Sequence, residues 1–522
     1  MNHDFIIVGA GSAGCVLAAR LSEDPSNRVL LLEAGPPNTR REIAIPAAFP
    51  LLMRTEVDWN YASEPQESLG GRSVYHPRGK TLGGSSSLNA QIFQRGHPED
   101  FNAWAARGNT GWDFASVLPY FKKLEHNERG PSEWHGTGGP VHVSDLRAPN
   151  RLTHAFIEAA SGAGLAKNAD FNGDTMDGVG LVQVTQKRGR RWSTADAYLS
   201  PARGRSNLTV LTGAHATRVL IEQGRAIGVE ARHDGETKQF HADQEVILCG
   251  GAFNSPQLLM LSGVGDSEHL RNSGVEPVHE LPGVGQNLQD HAMVGPRYAC
   301  RRPITLLTAT SFRNLLQYML FRKGALTSNI AEAIGFVRTS PDLPAPDLEI
   351  IFAPVYYDVD NPPTVHGFTI GTVALQPKSV GAVTLRSADP FDKPHIQLNY
   401  LSDPEGEDLR VLCHGVRLAH DIASSPPLAE FRGDTLIPNG PLDTNEQIQR
   451  FVRGYVETVY HPVGTCRMGT DDEAVVDPEL RVRGLDGLRV VDASVMPSIV
   501  RAHPNAAIIM IAEKAVDLIA GH

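Results

Sequence analysis

The first hydrophobic run of the chain predicts a short buried strand that leads into a helix and then a second strand. Phe5-Ile6-Ile7-Val8 contains no polar residue, and helix-forming residues follow from Cys15 to Leu21. A second apolar run, Val29 to Leu32, ends on Glu33. This order of strand, helix and strand predicts the start of a parallel sheet with a helix packed on it.

A glycine pattern, G-x-G-x-x-G, lies between the first strand and its helix. Gly9 permits a tight turn, Gly11 leaves room for a pyrophosphate, and Gly14 lets helix and strand pack closely. The free N–H groups at the start of the helix can receive the phosphate charge. Glu33 stands where a carboxylate can accept both hydroxyls of an adenosine ribose. The pattern predicts a dinucleotide site without distinguishing NAD from FAD.

The remaining periodicity predicts further helices and antiparallel strands. Helical spacing occurs over residues 97–126, 150–162, 303–322, 405–424, 444–453 and 506–519. Alternation predicts antiparallel strands over 206–248, a separate antiparallel sheet over 347–400 that would roof a cofactor, and a last buried strand over 488–496. A second strand–turn–helix junction at Gly250-Gly251 predicts a helix that begins just after Pro256.

Two stretches lack hydrophobic periodicity. Residues 36–70 are rich in proline and polar residues, which predicts an excursion over the surface of the first lobe. Residues 77–90 are rich in glycine and serine and contain Arg78 and Lys80. They are typical either of a flexible linker or of a loop wrapped over a polar cofactor.

Composition narrows the class of protein. A chain of 522 residues is too long for one core, so two lobes are expected. The net charge of −11 argues against nucleic acid or an anionic membrane as the main partner. Five widely spaced cysteines predict reduced thiols without a metal site. There is no apolar run that could span a bilayer, and the first strand begins too early to leave room for a signal peptide. We therefore expect a cytoplasmic protein. Peripheral association with the inner membrane stays open.

Several separated motifs resemble the glucose–methanol–choline (GMC) oxidoreductase family, in particular its bacterial choline and alcohol dehydrogenase branch. They are the N-terminal fingerprint with Glu33, residues 77–90, Gly251-Ala252-x-x-Ser255-Pro256 with residues 262–265, the segment 460–469, and Val491-Asp492-Ala493-Ser494 with Pro504-Asn505. The resemblance covers almost the whole chain. It implies FAD and an α/β fold in which a Rossmann-like FAD-binding domain (residues 1–155, 200–298 and 455–522) carries an α+β substrate-binding domain with an antiparallel sheet (156–199 and 299–454).

The resemblance also implies roles for individual residues. The catalytic pair would be His461 and Asn505. FAD contacts would come from Gly9, Gly11, Ser12, Ala13, Gly14, Glu33, Trp59, Gly84, Ser85, Asn89, Ala90, Gln91, Ile92, Val219 (through its backbone), Asp492, Ala493, Pro504 and Asn505. Family members with covalent flavin have a histidine where this chain has Leu88, so non-covalent FAD is expected.

The implied reaction is oxidation of a primary alcohol to the aldehyde. Flavin N5 can accept the hydride, and a histidine with a pKa near 6.5 can accept the hydroxyl proton. Electrons would pass to O₂ or to a quinone or respiratory carrier. His503 is expected to be structural or supporting. Glu332 could line the site or be a buried structural carboxylate, and Tyr356-Tyr357 could form a pocket wall or pack within a strand.

Three other functions stay open. A light-driven fatty-acid decarboxylase of the same family lacks a histidine at the position of His461, which disfavours it. A hydroxynitrile-type lyase with structural flavin is a second alternative. A non-enzymatic flavin-binding protein would leave His461 and Asn505 without a role.

Overall fold

The computed structural model describes residues 3–358 and 364–521. An N-terminal sheet of seven strands forms the base of the molecule. In spatial order its strands are Leu208–Thr212, Val29–Glu33, His3–Val8, Glu236–Leu248, Arg225–His233 and His215–Glu222, with Leu488–Val490 also paired to Glu236–Leu248. In this spatial order, the first four strands run parallel to one another, and Leu488–Val490 runs parallel to Glu236–Leu248. The long strand Glu236–Leu248 joins this parallel part of the sheet through its final residues, which pair with His3–Val8. The predicted Rossmann-like class is confirmed.

Helices cover the N-terminal sheet, and two of them come from opposite ends of the chain. The first helix, Ser12–Leu21, packs against the C-terminal helix, Asn505–Ala520. Arg20 of the first helix forms an ion pair with the buried Glu513 of the last, with 2.8 Å between nitrogen and oxygen. Both ends of the chain therefore meet beside the glycine turn.

An eight-stranded antiparallel sheet forms the second layer. Its path is Arg432–Ile437, Arg297–Cys300, Gly367–Ala374, Leu348–Ala353, Ala333–Val337 and Gly178–Leu181, with Ala292–Val294 paired to Gly367–Ala374 and Glu457–Thr458 paired to Ala292–Val294. The long helix Glu407–Ser424 packs on this sheet. The predicted second domain with an antiparallel sheet is confirmed, whereas the domain boundaries stay a prediction.

Smaller elements complete the described chain. The other helices are Arg41–Ala44, Pro98–Ala106, Phe114–Leu124, Arg151–Gly162, Ser200–Ala202, Gly251–Leu261, Ser267–Asn272, Phe312–Phe321, Pro426–Ala429 and Asn445–Tyr455, with 3₁₀ turns at Pro46–Leu52, Glu67–Leu69, Gly84–Ser87, Leu306–Thr308, Ala325–Thr327 and Ala493–Val495 and a π turn at Ala195–Leu199. The remaining strands are Tyr61–Ala62, Tyr75–His76, Glu125–Asn127, Val141–Asp145, Gln183–Val184, Gln186–Lys187, Arg190–Arg191, Val264–Gly265, His279–Glu280, Ala382–Thr384 and His395–Gln397.

The helix at the second glycine junction begins earlier than its sequence predicts. It starts at Gly251, so Pro256 lies inside it and not at its first position. Proline has no N–H to bond the carbonyl four residues earlier, that of Ala252. The Thr465 hydroxyl donates to this carbonyl at 2.7 Å instead. A side chain from the distant 460–469 segment thus allows the helix to continue through its proline.

Four other elements differ from expectation. Residues 208–212 pair parallel in the N-terminal sheet and not within the antiparallel run. Residues 382–384 form a separate two-stranded sheet with 395–397. The last strand stops at Val490, because the Asp492 carboxylate accepts from the backbone N–H of Ser494 and starts a 3₁₀ turn there. The helix predicted over 303–322 is confined to 312–321, since Thr305 caps a separate short turn at 306–308.

The stretch 36–70 is also not a surface excursion throughout. Phe49, Leu52 and Val57 are buried, because they pack beneath the loop that leads to Leu88 and against the second sheet.

All five cysteines are buried free thiols, as predicted. Within the described residues, no group of metal-ligating side chains could hold a metal ion, and no helix is both long and apolar enough to cross a bilayer.

Candidate active site

A cleft opens at the carboxyl ends of the parallel strands, where ligands bind in open α/β sheets. Its outer compartment is lined by the strand ends Val8, Glu33 and Leu248 and by both glycine junctions. Its inner compartment reaches beneath the antiparallel sheet. Four residues line both compartments: Ser12, Arg78, Ser85 and Ile508. The cleft is therefore continuous and long enough in outline for a two-part ligand.

Close backbone contacts explain the glycines of the outer compartment. A Cβ on Gly14 would lie 1.9 Å from the carbonyl oxygen of Gly9, and a Cβ on Gly84 would lie 2.6 Å from the Cα of Gly11. Gly9 has φ +100° and passes against the backbone of Cys249. Side chains at these positions would separate the first helix from its strand and fill the cradle that a pyrophosphate needs.

Glu33 is held at the end of its strand by backbone donors. Its Oε2 accepts from Ala10 N–H at 2.9 Å, and its Oε1 accepts from Gly35 N–H at 2.8 Å. Burial raises the pKa of Glu33 to about 7, although both N–H donors oppose the shift. The carboxylate is thus fixed and faces the outer compartment, where a ribose would provide two further donors.

Asp492 joins the last strand to the second glycine junction. Its carboxylate accepts from the Gly251 N–H at 2.8 Å and from the hydroxyls of Ser255 and Ser494. These donors satisfy a carboxylate whose pKa burial raises. Asp492 therefore positions the turn that lines the outer compartment.

The structure brings nearly all of the residues predicted to bind the cofactor into this one cleft. The outer compartment is lined by Gly9, Gly11, Ser12, Ala13, Glu33, Trp59, Gly84, Ser85, Asp492 and Ala493, and the inner compartment by Ser12, Ser85, Asn89, Ala90, Gln91, Ile92, Pro504 and Asn505. Gly14 and Val219 do not line it. Gly14 lies within the first helix, on the side that packs against the Gly9 carbonyl, and Val219 donates its N–H to the Ser262 hydroxyl at 2.8 Å.

The inner compartment combines an apolar wall with two histidines. Its apolar side chains are Phe49, Met53, Leu88, Ile92, Met293, Ile330, Ile351, Val459 and Ile508. His461 and His503 face the same space, and no carboxylate is among the described residues that line it. Such a wall suits the carbon skeleton of an organic substrate, with the histidines as its polar end.

His461 is the middle member of a row of three histidine rings. Its Nδ1 lies 2.9 Å from Nδ1 of His291, and its Nε2 lies 3.2 Å from Nδ1 of His503. Nε2 of His503 in turn lies 3.0 Å from Oε1 of Glu349, which is 1% exposed. Asn505 lines the same compartment, and its Oδ1 accepts from the Ser12 hydroxyl at 2.7 Å.

The contact that His291, at one end of this row, makes with the backbone indicates which ring nitrogens carry protons. Nε2 of His291 lies 3.1 Å from the carbonyl oxygen of Leu375, which can only accept, so Nε2 carries the hydrogen. Nδ1 of His291 is then an acceptor, and Nδ1 of His461 must be its donor. Consequently, Nε2 of a neutral His461 is unprotonated and faces the inner compartment.

The surroundings favour the neutral form of this imidazole. Burial lowers the pKa of His461 well below its ordinary value, and His503, His291 and Arg78 lower it further. Burial also lowers the pKa of His291 to about 3. The row therefore contains a fixed, neutral nitrogen base.

The backbone of His461 is fixed by a segment that sequence reasoning did not single out, Gln289-Asp290-His291. The Asp290 carboxylate accepts from the His461 N–H at 2.7 Å and from the Thr458 hydroxyl at 2.6 Å. Gln289 forms two backbone hydrogen bonds with Val463. Tyr460, just before His461, has φ +70°, a strained value of the kind that packed surroundings hold at functional sites.

Glu349 was also missed, although it carries a sequence signal. It interrupts the apolar strand 348–353, and a charge in such a strand must find a buried partner. His291 carries no comparable signal.

Of the two alternatives for Glu332, the structure supports a buried structural carboxylate. Glu332 is fully buried and accepts from the Ser328 and Thr153 hydroxyls and the Asn150 N–H, each at 2.6 Å. Tyr357 lines the inner compartment as a pocket wall would.

Comparisons with known proteins agree with this geometry. Residues 3–293 match the N-terminal GMC oxidoreductase family model, and residues 377–512 match the C-terminal one. An alcohol dehydrogenase [acceptor] of Pseudomonas putida is 46% identical, over 99% of this chain and 95% of its own. An oxygen-dependent choline dehydrogenase of Rhizobium rhizogenes is 43% identical, over 100% of this chain and 96% of its own.

Among solved structures, a formate oxidase of Aspergillus oryzae RIB40, studied for its FAD modification, has a TM-score of 0.93 and 29% identity, covering 100% of this chain and 98% of its own. The fold and cleft thus define an FAD-dependent oxidoreductase. The chain belongs to the GMC oxidoreductase family.

Proposed function

We propose that this protein oxidises a primary alcohol to the aldehyde and uses His461 as the general base. The observation that carries the proposal is the pair of contacts from Nδ1 of His461 to Nδ1 of His291 and from Nε2 of His291 to the Leu375 carbonyl, because these contacts leave Nε2 of His461 as an acceptor in a residue that lines the inner compartment. A histidine that acts as general base must be unprotonated, and therefore neutral, before it acts, and it must lie within hydrogen-bond reach of the reacting hydroxyl.

Residues of both compartments would bind the cofactor. Bound FAD would supply the acceptor for the hydride that leaves the alcohol carbon. The glycine turn and Glu33 would hold its ADP half, and residues 89–92 would follow its flavin half. Asn505 opens the C-terminal helix, whose N-terminal dipole would favour negative charge on the flavin.

The geometry supports His503 as a further partner of His461 in substrate binding, while Asn505, which lines the same compartment, stays the proposed second member of the pair. In their neutral forms, Nε2 of His461 and Nδ1 of His503 are both acceptors across 3.2 Å. A substrate hydroxyl beside the two nitrogens can donate to one of them, and the released proton can then be shared by both. Glu349 would stabilise the resulting positive charge through His503 Nε2–H.

The apolar wall favours an alkyl or aryl alcohol over choline. A quaternary ammonium is usually held by a carboxylate or an aromatic cage. The described lining contains no carboxylate, although Phe49, Tyr357 and Tyr460 belong to it. Since one relative is named a choline dehydrogenase, choline belongs in the same test.

Anaerobic mixing of the holoenzyme with alcohols tests the proposal. We expect aliphatic or benzylic primary alcohols to bleach the flavin absorbance and choline to do so weakly. If no alcohol, choline included, bleaches the flavin, the proposal is wrong, and a lyase or a decarboxylase becomes the better account. Admission of air afterwards distinguishes O₂ from a quinone-type carrier as electron acceptor.

We also propose that FAD is bound without a covalent link through residue 88. Leu88 lines the inner compartment and offers no nucleophilic atom. Acid precipitation should release all of the yellow cofactor into the supernatant, whereas colour retained in the pellet would contradict this.

A further inference from the structure

The helix Phe312–Phe321 turns its apolar side outward. Phe312, Leu315, Leu316, Met319 and Leu320 follow the spacing of one helical stripe, which normally packs on a core. Here they are exposed, from 40% at Leu315 to 80% at Phe312, and Phe321 is 65% exposed. Six of the twelve large apolar side chains exposed in the described residues lie on this helix. Such a concentration marks an interaction surface.

Only the opposite side of the helix is anchored. Tyr318 is buried, donates its hydroxyl to the Ala44 carbonyl at 3.3 Å, and packs with Ala309 and Leu326. The exposed stripe is therefore held in a fixed orientation by a packed inner side.

Basic side chains flank the two ends of the stripe. Arg313 lies on the helix, and Arg322 and Lys323 follow its last turn. The turn at Gly189 packs against that end, since a Cβ on Gly189 would lie 2.5 Å from the carbonyl oxygen of Arg322. This turn exposes three more cations: Lys187, Arg188 and Arg190.

Acidic residues do not balance these charges. No aspartate or glutamate occurs between residues 301 and 331, although the whole chain has a net charge of −11. Within the described part of the protein, none of the six basic side chains forms an ion pair with a carboxylate. The overall charge weighs against an anionic surface as partner, but the charge around this helix has the opposite sign.

We propose that this basic-rimmed apolar patch, defined as the helix 312–321 with its six flanking cations, docks on an anionic phospholipid bilayer. A helix of ten residues is too short to cross a bilayer, and it would lie in the headgroup plane with its apolar stripe inserted. The cations would contact lipid phosphates. A second copy of this chain is a poorer occupant, because a two-fold interface would bring the two basic rims together.

The position of the patch relates it to the inner compartment. The anchoring cluster of Tyr318 also contains Leu306 and Ala47, and Leu306 packs in turn with Phe49, which lines the inner compartment. Docking would therefore bring the apolar compartment close to the bilayer, which is a source of lipid-soluble compounds.

Flotation of the holoenzyme with vesicles tests the proposal. We expect co-flotation with vesicles of phosphatidylglycerol and phosphatidylcholine, weak flotation with phosphatidylcholine alone, and release at high salt. The variant Arg313→Glu/Lys323→Glu should bind at least about tenfold more weakly. The matched charge control, Arg203→Glu/Arg450→Glu, changes exposed cations elsewhere and should bind as the wild type does.

The apolar stripe is tested separately. Phe312→Ser/Met319→Ser/Leu320→Ser should abolish flotation, whereas Val278→Ser/Val380→Ser, which removes exposed apolar groups elsewhere, should not. Both variants should keep bound FAD, which reports correct folding.

Insertion can be observed directly with an environment-sensitive fluorophore on Met319→Cys, since all native cysteines are buried. Its emission should rise several-fold with anionic vesicles and stay unchanged on Val278→Cys. Absence of flotation and of the emission change would overturn the proposal. A wild-type dimer that the triple serine variant converts to a monomer, without vesicle binding, would assign the patch to self-association instead.

Discussion

Two buried histidines, His461 and His135, show how neighbours determine what an imidazole can do. His461 lies between two other histidines, and its pKa falls well below the ordinary value, chiefly because burial opposes a charge and also because Arg78 is near. His135 lies between two carboxylates, with Nδ1 3.0 Å from Glu125 and Nε2 2.8 Å from Asp170. These carboxylates overcome burial and raise its pKa to about 9.

The difference suits the two imidazoles to different roles, that of the proposed base at His461 and that of a structural cation at His135. A neutral imidazole with a bare nitrogen can accept a proton, whereas a cation fixed by two anions cannot. Arg95 also pairs with Glu125, at 2.6 Å, so the His135 group is a compact charge network that joins residues 95, 125 and 170. Both residues are histidines, so the residue type alone could not distinguish the two roles.

Removal of the His461 imidazole should have the largest effect. We expect His461→Ala to keep its FAD and to lower the rate of anaerobic flavin reduction by about 100-fold or more, because the base is lost. His135→Gln serves as the matched control and should reduce at the wild-type rate. Stopped-flow absorbance measures both, and equal rates for wild type and His461→Ala would reject the base.

Glu349→Gln should have a smaller effect on the same step. Without the carboxylate, the proton shared by His461 and His503 is stabilised less, and we expect reduction to slow by about tenfold. The acidic limb of the rate–pH profile should also move to lower pH, because loss of a nearby anion makes a positive charge on His461 less favourable. A variant with an unmoved limb and only lower stability would show that Glu349 is merely structural.

His135→Gln should affect stability alone, in a pH-dependent way. The folded pKa of about 9 lies above the ordinary value of 6.5, so the stabilisation is fully present below about pH 6.5 and is lost as pH rises through 9. We expect a difference of about 1–2 kcal/mol in the free energy of unfolding at pH 6, allowing for solvent screening, and little at pH 9.5. Denaturant titrations at both pH values measure it; equal differences would mean that His135 is not charged.

Local sequence patterns predicted the outer compartment well and the inner one only in part. Gly9, Gly14 and Glu33 act within one strand–turn–helix–strand unit, so their spacing alone conveys their geometry. The His461 row depends on side chains from residues 291, 349 and 503, and only tertiary packing brings them together. The spacing of the helix 312–321 was visible as amphipathic, but the sequence could not show that its apolar side faces outward.

The most direct test of the account is the protonation state of these two histidines. In protein labelled with ¹⁵N-histidine, the ring nitrogen shifts distinguish neutral imidazole from imidazolium, and His461→Gln and His135→Gln assign the two signals. At pH 7.5 we expect His461 to be neutral, with its proton on Nδ1, and His135 to be a cation. A charged His461, or a neutral one with its proton on Nε2, would contradict the account.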